Sequence, residues 1–260
     1  MKKKELLGEW INYALNSKNA HGIHSPFVFD FYNNCIKGNV SADSLKIFRQ
    51  IRKELLTNNN KIHHLDLGAG SKVNSSPTPL VKQIAKASLK KEKEASLISK
   101  IVKYLKCKTV VELGTSFGTT TLLISLETPD AKIYTIEGSP EIAAVASNIF
   151  SRFPKNKIKL LTGSFDEQLP SLLADIQIAD AFIFDGNHRK EATLRYFEQA
   201  LIHSSSDTVF IFDDIRWSSG MLEAWNVIIN HPKTSLSLDL FSMGIVFINS
   251  NFSKQNIKIK

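Results

Sequence analysis

Two apolar runs in this chain end abruptly in ionisable side chains. Phe182-Ile183-Phe184 leads into Asp185-Gly186-Asn187-His188, and Phe210-Ile211-Phe212 leads into Asp213-Asp214-Ile215. In an open sheet of parallel strands, side chains at the carboxyl ends of neighbouring strands meet in one crevice. Three carboxylates and an imidazole are thereby expected at one place. Like charges packed together are costly unless something neutralises them, and a divalent cation or the nearby Arg189 could do so. The simpler reading of Asp213-Asp214 is a helix cap with a salt bridge. His188 titrates near neutrality when unperturbed and suits removing a proton from a hydroxyl, against the plain alternative of a hydrogen-bonded structural histidine.

The elements that would position these groups can be read from periodicity. From Thr109 onward, Thr109–Leu113, Lys132–Ile136, Ile158–Leu161, Ala181–Asp185 and Thr208–Asp213 are short β-type runs. Between them Thr119–Leu126, Pro140–Phe153, Glu167–Ala174, Lys190–Ile202 and Gly220–Ile229 have helical spacing. Strands alternating with helices predict a doubly wound, Rossmann-like α/β domain with a mainly parallel sheet. Ser235–Leu240 and Gly244–Asn249 alternate as strands but are joined too closely for a parallel crossover, so they form an antiparallel hairpin at the C-terminal end. Residues 1–108 read as a mainly helical extension, with helices Glu5–Asn16, Pro26–Ile36, Ala42–Leu56, Leu80–Leu89 and Ala95–Leu105. Ser25 before Pro26 fits an N-cap followed by a first-turn proline, and Ser41 or Asp43 suits capping the third helix.

Val111-Glu112-Leu113-Gly114-Thr115-Ser116-Phe117-Gly118-Thr119-Thr120 reads as a strand, a glycine turn and the start of a helix. Glycines there permit a sharp turn and close approach of the backbone to a ligand. The following helix start offers free N–H groups. The next strand ends in Glu137-Gly138, which puts an acid where it can bridge two ribose hydroxyls. The turn is GxxxG and not the GxGxxG of a dinucleotide site, which disfavours a nicotinamide oxidoreductase. Asp66-Leu67-Gly68-Ala69-Gly70 also looks like a cofactor loop, but a Ser/Pro-rich stretch and helices follow it, so it reads as a structural turn or a lid.

From Thr109 to Asn249 the chain resembles the class I S-adenosylmethionine (SAM)-dependent methyltransferases. The resemblance implies a seven-stranded sheet with a reversed strand beside strand five. It implies that Glu112, Gly114, Thr115, Ser116, Gly118, Thr119 and Thr120 surround the methionine part of SAM. Glu137 and Gly138 would then hold the ribose, and Gly163, Ser164 and Phe165 border the adenine, with Asp185 beside the cofactor. Within that class the strand ends are similar to those of the catechol and caffeoyl-CoA O-methyltransferases. Carried over residue by residue, Asp185, Asp213 and Asp214 fall on the metal positions and His188 on the base. Asp214 departs from the usual Asn and His188 from the usual Lys. Such oxygen ligands suit Mg²⁺, and SAM's sulfonium charge is a further candidate for neutralising the acids.

Composition bounds the rest. With 260 residues and 43% hydrophobic content the chain is long enough for one α/β domain and a helical extension. Met-Lys-Lys-Lys is followed by too short an apolar run for a signal peptide, and no window approaches the length of a membrane span. Cys35 and Cys107 are far apart, so no disulfide framework or zinc knuckle is expected, and a cytoplasmic protein is the default. His21 and His24 form an HxxH without supporting ligands. Residues 1–108 hold 20 Lys and Arg against 8 Asp and Glu, whereas residues 109–260 hold 13 against 17. Lys82, Lys86, Lys90 and Lys93 recur at helical spacing and read as a solvated face. Trp217, Met221 and Trp225 follow the acidic pair at helical spacing and read as core, with Trp217 nearest the crevice.

No Asn/Asp-Pro-Pro-Tyr follows strand four, which argues against amino methylation, and no Cys sits where a pyrimidine-C5 enzyme needs a thiolate. The leading reading is O-methylation of a small hydroxylated acceptor, with the extension at residues 1–108 as a cap and residues 109–260 as the SAM-binding domain. A homodimer is compatible with it. Two alternatives stand beside it: a nucleic-acid methyltransferase using residues 1–108 as a basic platform, which would show strong salt dependence, and a SAM-binding module without catalysis.

Overall fold

The computed structural model describes residues 1, 3–19, 22, 24–63 and 78–260. The N-terminal part contains α1 (Lys3–Asn16), α2 (Pro26–Asp30) continuing into a π-helical segment (Phe31–Ile36), α3 (Ala42–Thr57), α4 (Val81–Ser88) and α5 (Glu92–Tyr104). Then strands and helices alternate: β1 (Thr109–Leu113), α6 (Thr119–Glu127), β2 (Lys132–Glu137), α7 (Pro140–Ser151), β3 (Ile158–Thr162) and α8 (Phe165–Ile176). The second half follows with β4 (Ala179–Phe184), α9 (Lys190–Ile202), β5 (Ser204–Phe212) and α10 (Ser219–Asn230). The chain closes on β6 (Leu236–Asp239), β7 (Gly244–Phe247) and β8 (Gln255–Lys258).

One sheet runs in the order β3-β2-β1-β4-β5-β7-β6-β8. β1 to β5 pair in parallel, and β7 lies antiparallel to both β5 and β6. This is the doubly wound arrangement with a C-terminal hairpin that the sequence predicts, extended by one strand. β8 adds in parallel to the free edge of β6, and Lys18 bridges Ile259 just beyond it. An edge that would otherwise expose unpaired backbone is covered in this way.

Each strand divides its side chains between two faces, as a period of two requires. Val110, Ile133, Ile183, Ile211 and Ile245 pack with Phe31 and with Ile98, Ile101 and Val102 of α5. Val111, Leu113, Phe182, Phe184, Phe210 and Phe212 pack with Leu169, Tyr196, Phe197 and Trp225 from α8, α9 and α10. Burial on both faces is why the strands read as continuous apolar runs. A third cluster joins Ile51 and Leu55 of α3 and Val81 and Ile84 of α4 to Phe117, Leu122, Ile142 and Ile149. The helices before Thr109 therefore share core with the sheet domain. Ser25 and Ser41 cap α2 and α3 through the Val28 and Ser44 N–H groups.

The end of α6 is tied to the N-terminal helices by one buried carboxylate. Glu127 accepts the Ser41 N–H at 3.2 Å and Lys103 Nζ at 2.7 Å. Burial acts to raise its pKa, but the Lys103 ammonium and the Ser44 and Ser41 donors outweigh it and pull the value from 4.5 to about 2. The folded pKa lies below the unfolded one, so this stabilisation is full above pH ~4.5 and fades as pH falls toward 2. Glu127→Gln is expected to cost about 1.5–3 kcal/mol at neutral pH, the scale of hydrogen bonds to a charged group. Urea titrations from pH 7 down to pH 3 should show the deficit shrinking with acidification; a deficit independent of pH would contradict the assignment.

Candidate active site

The site is built on the carboxyl edge of the sheet, where β1, β2, β4 and β5 end. Gly114 adopts φ +111 immediately after β1, and a Cβ there would overlap the Asp185 carbonyl oxygen at the end of β4. Gly118, at φ +75, opens α6 without a side-chain cap, and a Cβ there would run into the Phe150 ring. Ser116 between them is also left-handed, at φ 48. Its N–H donates to Glu137 Oε2 at 2.8 Å, while Glu137 Oε1 accepts the Ser139 N–H at 3.0 Å across Gly138. The end of β2 thus fixes the glycine turn. Gly163 extends the same edge by donating its N–H to the Glu137 carbonyl at 2.9 Å. Ser164 caps α8, and Phe165 sets its ring edge-on to Tyr196 at 5.7 Å. A Cβ on Gly186 would come within 2.7 Å of that Phe165 ring.

Beneath the turn lies a buried polar chain. Glu112 is 1% exposed, and its Oε2 accepts Thr121 Oγ1 at 2.5 Å and Thr135 Oγ1 at 2.6 Å. Thr115 Oγ1 lies 2.6 Å from Thr135 Oγ1. Burial pushes the Glu112 carboxyl up to about 7, against the pull of both hydroxyls. Its Oε1 is buried with no partner among the described residues. Such an atom leaves a polar demand unmet. Thr119 and Thr120, in the first turn of α6, are also buried.

The acid cluster is organised by a residue outside the sheet. Lys90 lies in the link between α4 and α5, and its Nζ sits 2.8 Å from Asp185 Oδ1 and bonds Asp213 Oδ2 as well. The Lys90 side chain is only 8% exposed. The expectation that it belongs to a solvated lysine face is therefore corrected: α4 stops at Ser88, and the chain beyond it turns Lys90 inward. Burial disfavours its charge, but Asp185 and Asp213 together hold its pKa above the ordinary lysine value. Asp185 is pushed upward by burial and by Asp213, with Lys90 opposing. The same link touches the glycine turn, since Ser88 Oγ lies 2.9 Å from Ser116 Oγ.

Asp214 stands apart from that pair. It is left-handed at φ 52, and its Oδ2 lies 3.9 Å from His188 Nε2. Burial and Asp213 raise its pKa to about 6. His188 is 20% exposed at the side chain, with the Trp217 ring 6.4 Å away. Burial lowers the His188 pKa, Asp213 opposing and Lys90 adding to the shift. Trp217 is half exposed, whereas Met221 and Trp225 are core. Arg216 anchors this loop through two bonds to Asp239, at 2.9 and 2.6 Å, and one to the Phe241 carbonyl at 2.8 Å. Neither Lys90 nor Arg216 was singled out as a site residue from the sequence. Lys90 meets its partners across 95 and 123 residues. His21 and the Asp66–Gly70 loop lie outside the described residues, and His24 is exposed.

The residues of the site suit one of the groups the resemblance implies better than the other. The glycine positions that a Cβ would fill, the unpartnered Glu112 oxygen and the acid ending β2 fit a nucleoside-bearing cofactor. The metal positions fit less well. Asp185 and Asp213 already share an ammonium, Asp214 faces His188, and among the described residues no group of three His, Cys, Asp or Glu side chains has the geometry of a metal site.

Comparison with known proteins agrees with the fold. Residues 111–215 match the family model of a methyltransferase domain. A 98-residue stretch is 33% identical to the transmembrane O-methyltransferase of Propithecus coquereli, covering 36% of each chain. It is 32% identical to that of Homo sapiens, covering 36% of this chain and 34% of the human one. The chain thus matches about a third of the length of these curated relatives. Among solved structures, the S-adenosylhomocysteine (SAH)-bound methyltransferase PaMTH1 of Podospora anserina superposes with TM-score 0.59 at 15% identity, covering 88% of this chain and 97% of that one. The O-methyltransferase of Bacillus cereus in complex with SAH gives 0.56 at 17%, covering 84% and 94%. At such identity the likeness is one of fold.

Gly114→Ala is expected to abolish the turn, since it combines a left-handed backbone with overlap on the Asp185 carbonyl. The strain is worth at least about 1–3 kcal/mol. Gly8→Ala is the control, because nothing lies within 4 Å of a Cβ there. Thermal melts should show a clear drop for the first and none for the second.

Proposed function

We propose that this chain, which matches a methyltransferase domain over residues 111–215, is a class I enzyme that transfers a methyl group from SAM to the hydroxyl oxygen of a small acceptor. One observation carries the reading: the glycine turn, the Glu137 carboxylate and the His188 imidazole stand on the same edge of one parallel sheet. Glu137, the acid that ends β2 beside the glycine turn, would hold the ribose hydroxyls. The Glu112–Thr120 segment would receive the methionine part, and Gly163, Ser164 and Phe165 would border the adenine. When bound, SAM supplies an activated methyl group on a sulfonium.

The remaining work falls to side chains of the protein. His188, buried enough to favour its neutral form at physiological pH, takes the proton of the acceptor hydroxyl. Trp217 walls that side of the crevice. Asp185 and Lys90 set the field in which the oxygen becomes a nucleophile, and orientation of the two reactants accounts for much of the acceleration.

A small acceptor is favoured over a nucleic-acid platform by what the N-terminal cations do. Lys90 and Lys103 pair with protein carboxylates, Lys100 Nζ donates to the Ile36 and Gly38 carbonyls at 2.6 and 3.0 Å, and Arg49 is paired with Glu92. These four cations are thus engaged internally. No helix among the described residues is long and apolar enough to cross a membrane.

Calorimetric titration with SAH tests the cofactor assignment. Glu137→Ala should weaken binding by about 1–3 kcal/mol as two hydroxyls lose a charged acceptor; unchanged affinity in a folded variant would overturn the ribose assignment. With a panel of catechols and other small hydroxylated acceptors, His188→Ala should lower transfer by roughly 100-fold or more while SAH affinity stays the same. Full activity in that variant on an acceptor that the wild type methylates would remove the base role.

A further inference from the structure

The acid pair at the strand ends contains its own counter-ion. We propose that Lys90 is the resident cation of this site: its ammonium stands between Asp185 and Asp213 where the related architecture places a divalent metal, and it performs the metal's electrostatic task. The proposal rests on the methyltransferase reading for its chemistry but on geometry alone for the cation.

Three observations lead to it. The Lys90 side chain is 8% exposed and bonds one oxygen from each acid, at 2.8 Å to Asp185 and in close contact with Asp213. A metal binding those oxygens would have to displace a buried ammonium that has no other partner among the described residues. The link is held just before Lys90 by the buried Leu89 and by the Ser88–Ser116 contact to the glycine turn. Finally, Asp214, the third expected ligand, has its Oδ2 3.9 Å from His188 Nε2. An ammonium has three donors, and the two acids take two of them. The third is available to the acceptor oxygen as its proton leaves for His188. The O–H bond breaks, the oxygen's electron pair forms the new O–CH₃ bond, and the S–CH₃ bond breaks with its pair remaining on sulfur. A fixed positive charge favours the oxyanion through this step without a metal. Asp185 and Asp213 hold that charge in place against the cost of burying it.

The test is a Mn²⁺ titration of the full chain in the presence of SAH, followed by electron paramagnetic resonance, for wild type, Lys90→Ala and Lys90→Arg. The expected result is no saturable Mn²⁺ uptake by wild type or Lys90→Arg, and methyl transfer by wild type that is unchanged by EDTA. Lys90→Ala should lower transfer by roughly 100-fold, the scale of one preorganised electrostatic donor, and should open the acid pair to one Mn²⁺. Stoichiometric Mn²⁺ binding by wild type, with loss of activity in EDTA, would overturn the proposal. Should Lys90→Ala fail to fold, the wild-type titration decides alone. Failure of SAH to bind would overturn the methyltransferase reading instead, and it is seen separately in the same samples.

Discussion

The parallel register of β4 and β5, which pairs Phe184 with Phe212, brings Asp185 and Asp213 out side by side at the sheet edge. Their proximity is a consequence of the sheet and cannot be relieved by a change of rotamer. Two carboxylates leaving water together lose solvation and repel, and such a pair persists only with a compensating charge and good hydrogen-bond geometry. Lys90 supplies both. Truncating one member of such a triad leaves the others buried and uncompensated, so the cluster acts as a unit.

That unit couples the two parts of the chain. Lys90 belongs to the helical region, its partners to the sheet, and the link between α4 and α5 also touches the glycine turn at Ser116. Glu127 ties α3 and α5 to the end of α6 in the same manner. The apolar faces of α3, α4 and α5 lie in core clusters shared with the sheet domain. The helices before Thr109 therefore complete the crevice and do not form an independent unit beside it. Arg216, bonded to Asp239 and the Phe241 carbonyl, holds the loop that presents Asp214 and Trp217. Positions on opposite sides of the crevice are thus set by buried ion pairs.

The sheet domain was largely legible because its signals are local. Strands buried on both faces leave apolar runs, Gly114 and Gly118 occupy left-handed turns, and Glu137 ends a strand. The hairpin followed from a connection too short for a crossover. What escaped the sequence depends on distant partners. Lys90 has helical spacing with Lys82 and Lys86, and nothing local shows that α4 ends at Ser88 or that two acids 95 and 123 residues away require a cation. The acids themselves are visible in the sequence, but the residue that balances them is not, because Arg189 and a bound cation are equally compatible with the local pattern. β8 is four residues long and partly exposed, so its alternation is weak, and only the free edge of β6 gives it a place. The break of the Pro26–Ile36 helix into a π-helical segment likewise reflects packing of Phe31, Tyr32 and Cys35 that periodicity does not encode.

A crystal structure of the full chain grown with SAH and Mn²⁺ tests the central claim most directly, because cofactor, lysine and metal are seen at once. The account predicts the ribose hydroxyls on Glu137, Lys90 Nζ still bonded to both Asp185 and Asp213, and no anomalous manganese signal between those acids. A manganese peak there with Lys90 swung away, or SAH bound elsewhere than the glycine turn, would contradict it.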